Sequence, residues 1–309
     1  MLTSLQNPLI KQIRKLHTAK GRRHYQQFIL EGTHLVEAAC TVSYPLEVVC
    51  CTPDWQQQHQ SLWELLTNQA NRIELVDQRV LNAIATTVHP DGIVAIAPRL
   101  SPLSPLVPSS KTELSTDVTQ TLPATLVHPP SPPYEGGELK GVQKPRNVTE
   151  YENSNNTDLP DLCLALETIQ DPGNLGTIIR TAAAAGARAL LLSADSVDLD
   201  HPKVLRASVG AWFRLPMKVS SDLVAELRNA QKQGIQIVAT LPTATQMYWE
   251  LDFQKPTIIL LGNEGAGLSP ALIDLANQQV KIPLERSVES LNVGICAALM
   301  LYEAQRQRS

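Results

Sequence analysis

Several familiar signatures are missing. There is no G-x-x-x-x-G-K-[ST] loop and no G-x-G-x-x-G, and Gly265-Ala266-Gly267 is the one G-x-G present, which excludes P-loop NTPases, kinases and ordinary Rossmann dehydrogenases. Neither H-E-x-x-H nor G-x-S-x-G occurs, so a zincin or an α/β-hydrolase lacks its motif. The five cysteines, Cys40, Cys50, Cys51, Cys163 and Cys296, form no C-x-x-C and have no histidine at finger spacing, so neither a disulfide scaffold nor a structural zinc site is expected. Cys50 and Cys51 close an apolar run and would point to opposite faces of a strand, as packing residues. Long apolar runs are also absent: 182–192 is broken by Gly186 and Arg188, well short of the roughly 18 residues that span a bilayer. No membrane segment and no secretory signal are expected, and we read the chain as cytoplasmic.

Excess positive charge is lacking too, the formal net charge being -4, which excludes a uniformly basic nucleic-acid coat and leaves position to matter. Lys11, Arg14, Lys15, Lys20, Arg22 and Arg23 all precede the first acidic residue, Glu31. This arm is purely cationic. It could serve as a transit peptide, as a solvated helix face, or as a set of phosphate contacts. Eleven of the 22 prolines lie from Pro98 to Pro160, among Ser, Thr and Asn tracts. Such a stretch buries too little apolar area to offset its ordering entropy, so residues 99–160 are expected to be a disordered linker. A flexible chain of that length reaches roughly 40 Å, which would let the flanking domains stand well apart.

Before the linker, strands are expected at 28–30, 46–50, 73–76 and 93–97, with helical patterns between them, giving a small α/β domain over 1–98. After it, strands at 162–166, 188–192, 215–219, 235–240, 257–261 and 280–282 alternate with helices near 175–185, 203–209, 221–233, 270–277 and 291–305. That alternation predicts a mostly parallel sheet covered on both faces over 161–309.

Three segments at the ends of these strands stand out, where open α/β sheets bind ligands. In DPGNLGTIIRTA, 171–182, Asn174 sits where a helix begins and reads first as an N-cap worth about 1 kcal/mol. Arg180, among isoleucines and alanines, should lie on or near a buried face and hold an anionic partner, either a structural carboxylate or a phosphate or reacting oxygen. GNEGAGL, 262–268, carries three glycines that admit close backbone approach, with Glu264 at the tip. In IPLERSVESLNVGICAALMLYE, 282–303, Ser290 reads as an N-cap, and Leu291, Ile295, Ala298, Leu299 and Tyr302 form a stripe that a core helix would explain.

Asn174 and Arg180, then Asn263-Glu264-Gly265, then Ser290-Leu291-Asn292, in this order, resemble the three motifs of the SpoU (TrmH-like) RNA ribose 2′-O-methyltransferases of the SPOUT superfamily. FILEGTHLVEAA, 28–39, resembles their small L30e-like substrate-binding domain. The resemblance implies an α/β fold with a C-terminal trefoil knot, a homodimer, S-adenosylmethionine as cofactor and no metal. It also implies a structured RNA substrate, 23S rRNA before tRNA, with a non-catalytic RNA-binding or ribosome-assembly factor as the rival class. By that resemblance Arg180 is the central catalytic residue, with Asn174, Glu264, Ser290 and Asn292 beside it. Leu241, Leu261, Gly262, Asn263, Gly265, Ile282 and Leu291 would hold the cofactor, largely through main chain. The arm, from Lys11 to Arg23, would contact RNA.

Overall fold

The computed structural model describes residues 1–99 and 161–309. The segment expected to be a disordered linker lies outside the described residues apart from Arg99.

The N-terminal half begins with two helices, α1 (Pro8–Lys15) and α2 (Ala19–Tyr25). Asn7 caps α1 by accepting from the Leu9 amide, and Pro8 fills the first helical position, where a missing N–H costs nothing. Strands β1 (Gln27–Glu31), β2 (Val48–Cys51), β3 (Ile73–Leu75) and β4 (Ile93–Pro98) form a sheet in the order β1-β4-β2-β3. The strands alternate as their period of two requires. Phe28, Leu30 and Cys51 face helices α3 (Thr33–Thr41), α4 (Pro53–Gln58) and α5 (Gln60–Gln69). Ile29 and Cys50 face α1 and α6 (Gln78–Ile84). The two adjacent cysteines thus belong to different cores, as expected, and burial pushes both thiols up to about 12, which leaves them protonated packing groups.

The second half is a seven-stranded sheet in which every recorded pairing is parallel. Its strands are β5 (Leu162–Leu166), β6 (Ala189–Ser193), β7 (Met217–Ser220), β8 (Gln236–Thr240), β9 (Gln246–Met247), β10 (Thr257–Leu261) and β11 (Gln278–Lys281). Spatially they run β7-β6-β5-β10-β8-β11-β9. Both faces are covered, as expected. Helices α7 (Pro172–Ala184), α8 (Pro202–Ser208) and α11 (Val293–Arg308) bury one side. Helices α9 (Leu223–Lys232) and α10 (Pro270–Leu275) bury the other. Helix α7 shows why: Leu175, Ile178, Ile179 and Ala182 recur at helical spacing and are all buried.

The expectation that the flanking domains stand apart is corrected, because the described residues fall into one compact unit. Leu205 of α8 enters the N-terminal core beside Phe28 and Leu30, and Trp212 packs at a tilt against Phe28 and edge-on against Tyr44. Arg22 is corrected with it. Expected on RNA, its side chain is 1% exposed and lies between Asp198 at 2.8 Å and Asp200 at 3.0 Å. Arg23 is exposed but also pairs with Asp198, and Arg99 pairs with Asp200. A linker's reach sets only the range available to two domains; complementary surfaces fix where they rest.

Helix α11 carries another correction. Its buried residues are Val293, Gly294, Ala297, Met300, Leu301 and Ala304, whereas Ile295 is 50% and Tyr302 51% exposed. The stripe read as a core face is the outer one. Both sides of this helix are apolar, so periodicity alone does not say which side packs.

Candidate active site

Strands β5 and β10 are neighbours, but the chain leaves β5 toward β6 on one side, while β10 has β8 on its other side. A crevice opens at such a switch point, beyond the carboxyl ends of the strands. All three singled-out segments meet there.

Helix α7 begins at this crevice. Its cap is Asp171, which accepts from the Asn174 amide at 2.8 Å, with Pro172 next at the first helical position. The expected cap, Asn174, is one turn too late. Its side chain is thereby free to act outward. Asn174 Nδ2 donates to Glu264 at 3.0 Å, and Asn174 Oδ1 accepts from Asn292 Nδ2 at 2.8 Å. Asn292, not Ser290, caps α11, its Oδ1 accepting from the Gly294 amide at 2.9 Å. Three residues distant in sequence, Glu264, Asn174 and Asn292, therefore form one hydrogen-bonded chain across the crevice.

The glycine loop is held from inside by Asn263. Its Oδ1 accepts from the Gly265 and Ala266 amides, both at 2.9 Å, and its Nδ2 donates to the Thr168 carbonyl at 2.8 Å. Gly262 has no alternative here, because a Cβ would fall 2.2 Å from the Gly267 carbonyl carbon. Thr168 itself has φ +56°, a costly conformation for a β-branched residue. It is secured by bonds to Ser193 and Asp195, and its serine and threonine partners hold the Asp195 carboxyl below the ordinary range. Sequence reasoning missed Thr168, Asp195 and the capping role of Asp171. Only the last had a local signal, an Asp directly before a helix-starting Pro.

Glu264 also accepts from the amides of Asp171 at 3.2 Å and Gln170 at 3.4 Å. Burial pushes its pKa up, but the hydrogen bonds from Asn174 and these amides outweigh it and leave the carboxyl below its ordinary 4.5. The stabilisation it lends is present above the unfolded pKa and is lost as pH falls through the lowered folded value. Acid is therefore expected to release the 262–268 loop, and exchange of the Gln170 and Asp171 amides against pH should show it. Persistence of that acid step in Glu264→Gln would assign it to another group.

Arg180 lies nearly two turns beyond Asn174 on α7. Contrary to the expected burial it is exposed, and of the two partners expected for it the structural carboxylate is absent among the described residues. The isoleucines before it face the core, and residue 180 is rotated off that face. Ser290 is likewise exposed, without a side-chain hydrogen bond among the described residues. Leu241 and Leu261 lie at strand ends. Ile282 and Leu291 share a cavity of ≈ 390 Å³ with Tyr248, Pro283, Leu284 and Leu299. The lining is mainly apolar, and Leu241, Leu261 and Gly262 are not part of it. No group of three His, Cys, Asp or Glu able to hold a metal occurs among the described residues.

Comparison with known proteins accords with this geometry. Residues 161–302 match the SpoU rRNA Methylase family, and residues 7–95 match the MRM3-like substrate binding domain. A Synechocystis protein named as an uncharacterized tRNA/rRNA methyltransferase is 40% identical, with 99% of this chain and 94% of that one covered. The 23S rRNA (guanosine(2553)-2′-O)-methyltransferase RlmP of Bacillus subtilis is 25% identical over 97% of both chains. Among solved structures, the AdoMet-bound rRNA methyltransferase from Sinorhizobium meliloti superposes with a TM-score of 0.73 at 28% identity, covering 99% of this chain and 97% of that one.

Proposed function

Since the chain belongs to the SpoU rRNA methylase family, we propose that it transfers a methyl group to a ribose 2′-hydroxyl of 23S rRNA, with S-adenosylmethionine as donor. The observation that carries this is the Glu264–Asn174–Asn292 chain at the strand ends. Bound S-adenosylmethionine supplies an electrophilic methyl group on a sulfonium. The protein must then hold the ribose in line, remove or share the 2′-proton and control nearby phosphate charge. Leu241, Leu261, Gly262, Ile282 and Leu291 hold the cofactor, and Asn263 and Gly265 shape the loop beside it. Asn174, Glu264 and Asn292 keep the ribose side of the crevice in register, with Ser290 at its rim. Arg180 positions phosphate and stabilises the developing alkoxide, since a guanidinium offers donors and no acceptor for a literal base role.

Two further features belong to this reading. The C-terminal segment threads as a trefoil knot, and the molecule works as a homodimer in the cytoplasm. The outer face of α11 supports the dimer, since Ile295 and Tyr302 lie half-exposed beside Leu299, with Trp249 46% exposed nearby. Apolar area of this kind is stabilised when a second copy covers it.

Lys11, Arg14, Lys15 and Lys20 are exposed on α1 and α2 and supply phosphate contacts, whereas Arg22 and Arg23 are occupied by carboxylates. Four such contacts on single-stranded RNA should give a slope of log affinity against log salt near -2.8, about -0.7 each. Replacing Lys11 and Arg14 with Ala should flatten the slope by roughly half. An unchanged slope would remove the arm from the interface. The function itself is tested by mass-spectrometric mapping of 2′-O-methyl groups in RNA from cells with and without the chain. Loss of a methyl group from 23S rRNA is expected; loss from tRNA alone would redirect the substrate. Failure to bind S-adenosylhomocysteine in calorimetry would favour a non-catalytic RNA-binding factor.

A further inference from the structure

We propose that Arg206 is a positioning residue: by joining Glu31 and Thr86 of the N-terminal domain to α8, it sets RNA held by that domain in register with the Glu264–Asn174–Asn292 chain. The inference rests on the proposed methyl transfer. Its basis is a carboxylate that the described function leaves unused. Glu31 closes β1 with its side chain only 3% exposed. It accepts from the Thr86 amide at 2.8 Å, the Thr86 hydroxyl at 2.5 Å, the Thr87 amide at 2.9 Å and the Thr87 hydroxyl. Those four donors match the roughly four lone-pair sites of a carboxylate, and all of them come from the N-terminal domain. Glu31 therefore pins the 86–87 turn without outside help.

A fifth donor comes from the other domain. Arg206 Nη1 lies 3.1 Å from Glu31 and 2.5 Å from the Thr86 hydroxyl. It neutralises a buried charge whose hydrogen bonds are already made, so its distinctive effect is to tie the two domains. One turn earlier on the same helix, Lys203 reaches Asp171 at 3.3 Å, the residue that caps α7 and leaves Asn174 free. Between them α8 lies directly on α7, because Gly176 admits a contact in which an added Cβ would fall 2.5 Å from Ala207 Cβ and 2.8 Å from the Val204 carbonyl oxygen. The path is rigid and short: the 86–87 turn, Glu31, Arg206, α8, then α7 and Asn174. Asp198 and Asp200, which precede α8, are fastened to Arg22, so the approach to the helix is anchored on the same domain.

The experiment uses the full chain with a 23S rRNA fragment. Arg206→Ala is expected to lower kcat by about 100-fold, as a displacement of about 1 Å can do, while KM for RNA and affinity for S-adenosylhomocysteine stay within about threefold. Arg206→Lys should recover most of the activity, because a single nitrogen makes both contacts. A second variant reaches the same element from the other side: Gly176→Ala wedges α8 from α7 and should reproduce the fall in kcat at unchanged KM. Amide exchange supplies a readout independent of turnover: exchange in α8 should quicken in Arg206→Ala, while a single unfolding transition persists because Leu205, Trp212 and the Arg22 pairs still join the domains. Wild-type kcat in Arg206→Ala, or a Lys variant as impaired as the Ala variant, would overturn the assignment. So would a rise in KM alone, which would make Arg206 an RNA contact. Absence of methyl transfer by the wild type would instead sink the proposed function, and unchanged exchange of α8 in Arg206→Ala would still overturn the role of Arg206.

Discussion

Alanine at position 180 should cut methyl transfer by about 10²–10³-fold, the usual effect of removing one donor that stabilises developing negative charge, while S-adenosylhomocysteine binding and thermal stability hardly change. The basis for this separation is the placement of Arg180. It is exposed on α7 and pairs with no carboxylate among the described residues, so its loss uncovers no buried partner. Exposed substitutions of that kind normally fall within about 0.5 kcal/mol. Arg180→Lys should remain strongly impaired, because an ammonium retains the charge but loses the planar fork that grips a phosphate or alkoxide from two directions. Rate assays with saturating cofactor, beside a melting curve, check both halves. Full activity in Arg180→Ala would refute the role, and a large fall in melting temperature would show that the side chain is structural.

The opposite outcome is expected at position 22. Arg22→Ala takes the one fully buried guanidinium from Asp198 and Asp200, leaving them the more exposed Arg23 and Arg99, and removes donors to the Leu16 and His17 carbonyls at 3.4 Å. Breaking a buried pair costs about 3–5 kcal/mol when the remaining charge is uncompensated, and Arg23 and Arg99 place the expected loss at the lower end of that range. Arg23→Ala, whose side chain is 65% exposed although it touches the same Asp198, should cost at most about 1 kcal/mol. Denaturant titration of the two variants side by side measures the contrast. Equal losses would mean that the cluster is more hydrated than its packing implies. Once folding is accounted for, neither substitution should alter the salt slope of RNA binding, which separates these arginines from the exposed cations of α1 and α2.

The two arginines also show how far a linear reading goes. Arg22 follows Lys20 in an arm with no acid, and the nearest acids in sequence, Glu31 and Glu37, are not its partners. Its partners are about 176 and 178 positions away. Arg180 presents the reverse case: flanked by isoleucines, it looks buried, and the helical rotation places it outside. Polar residues near a helix start are usually caps, which favours Asn174 and Ser290 in the linear sequence, yet Asp171 and Asn292 take those bonds. In both places the residue that caps lies two or three positions away. That is within the uncertainty of any helix boundary, but it reverses which side chain is free for chemistry.

Most strand and helix positions, the mostly parallel character of the second sheet and the identity of the three motif segments could be read from the chain alone, whereas the two-residue strand β9 could not. Each rests on periodicity or turn chemistry within a few neighbours, and the apolar runs at 162–166 and 257–261 admit little besides buried strands. Assembly supplied the rest: the Glu264–Asn174–Asn292 chain, the burial of Arg22, the outward face of α11 and the seat of Arg206 on Glu31. Those depend on which surfaces meet between residues as far as 90 to 178 positions apart, and a packed interior settles that through shape and charge pairing together, neither of which is encoded at any one position.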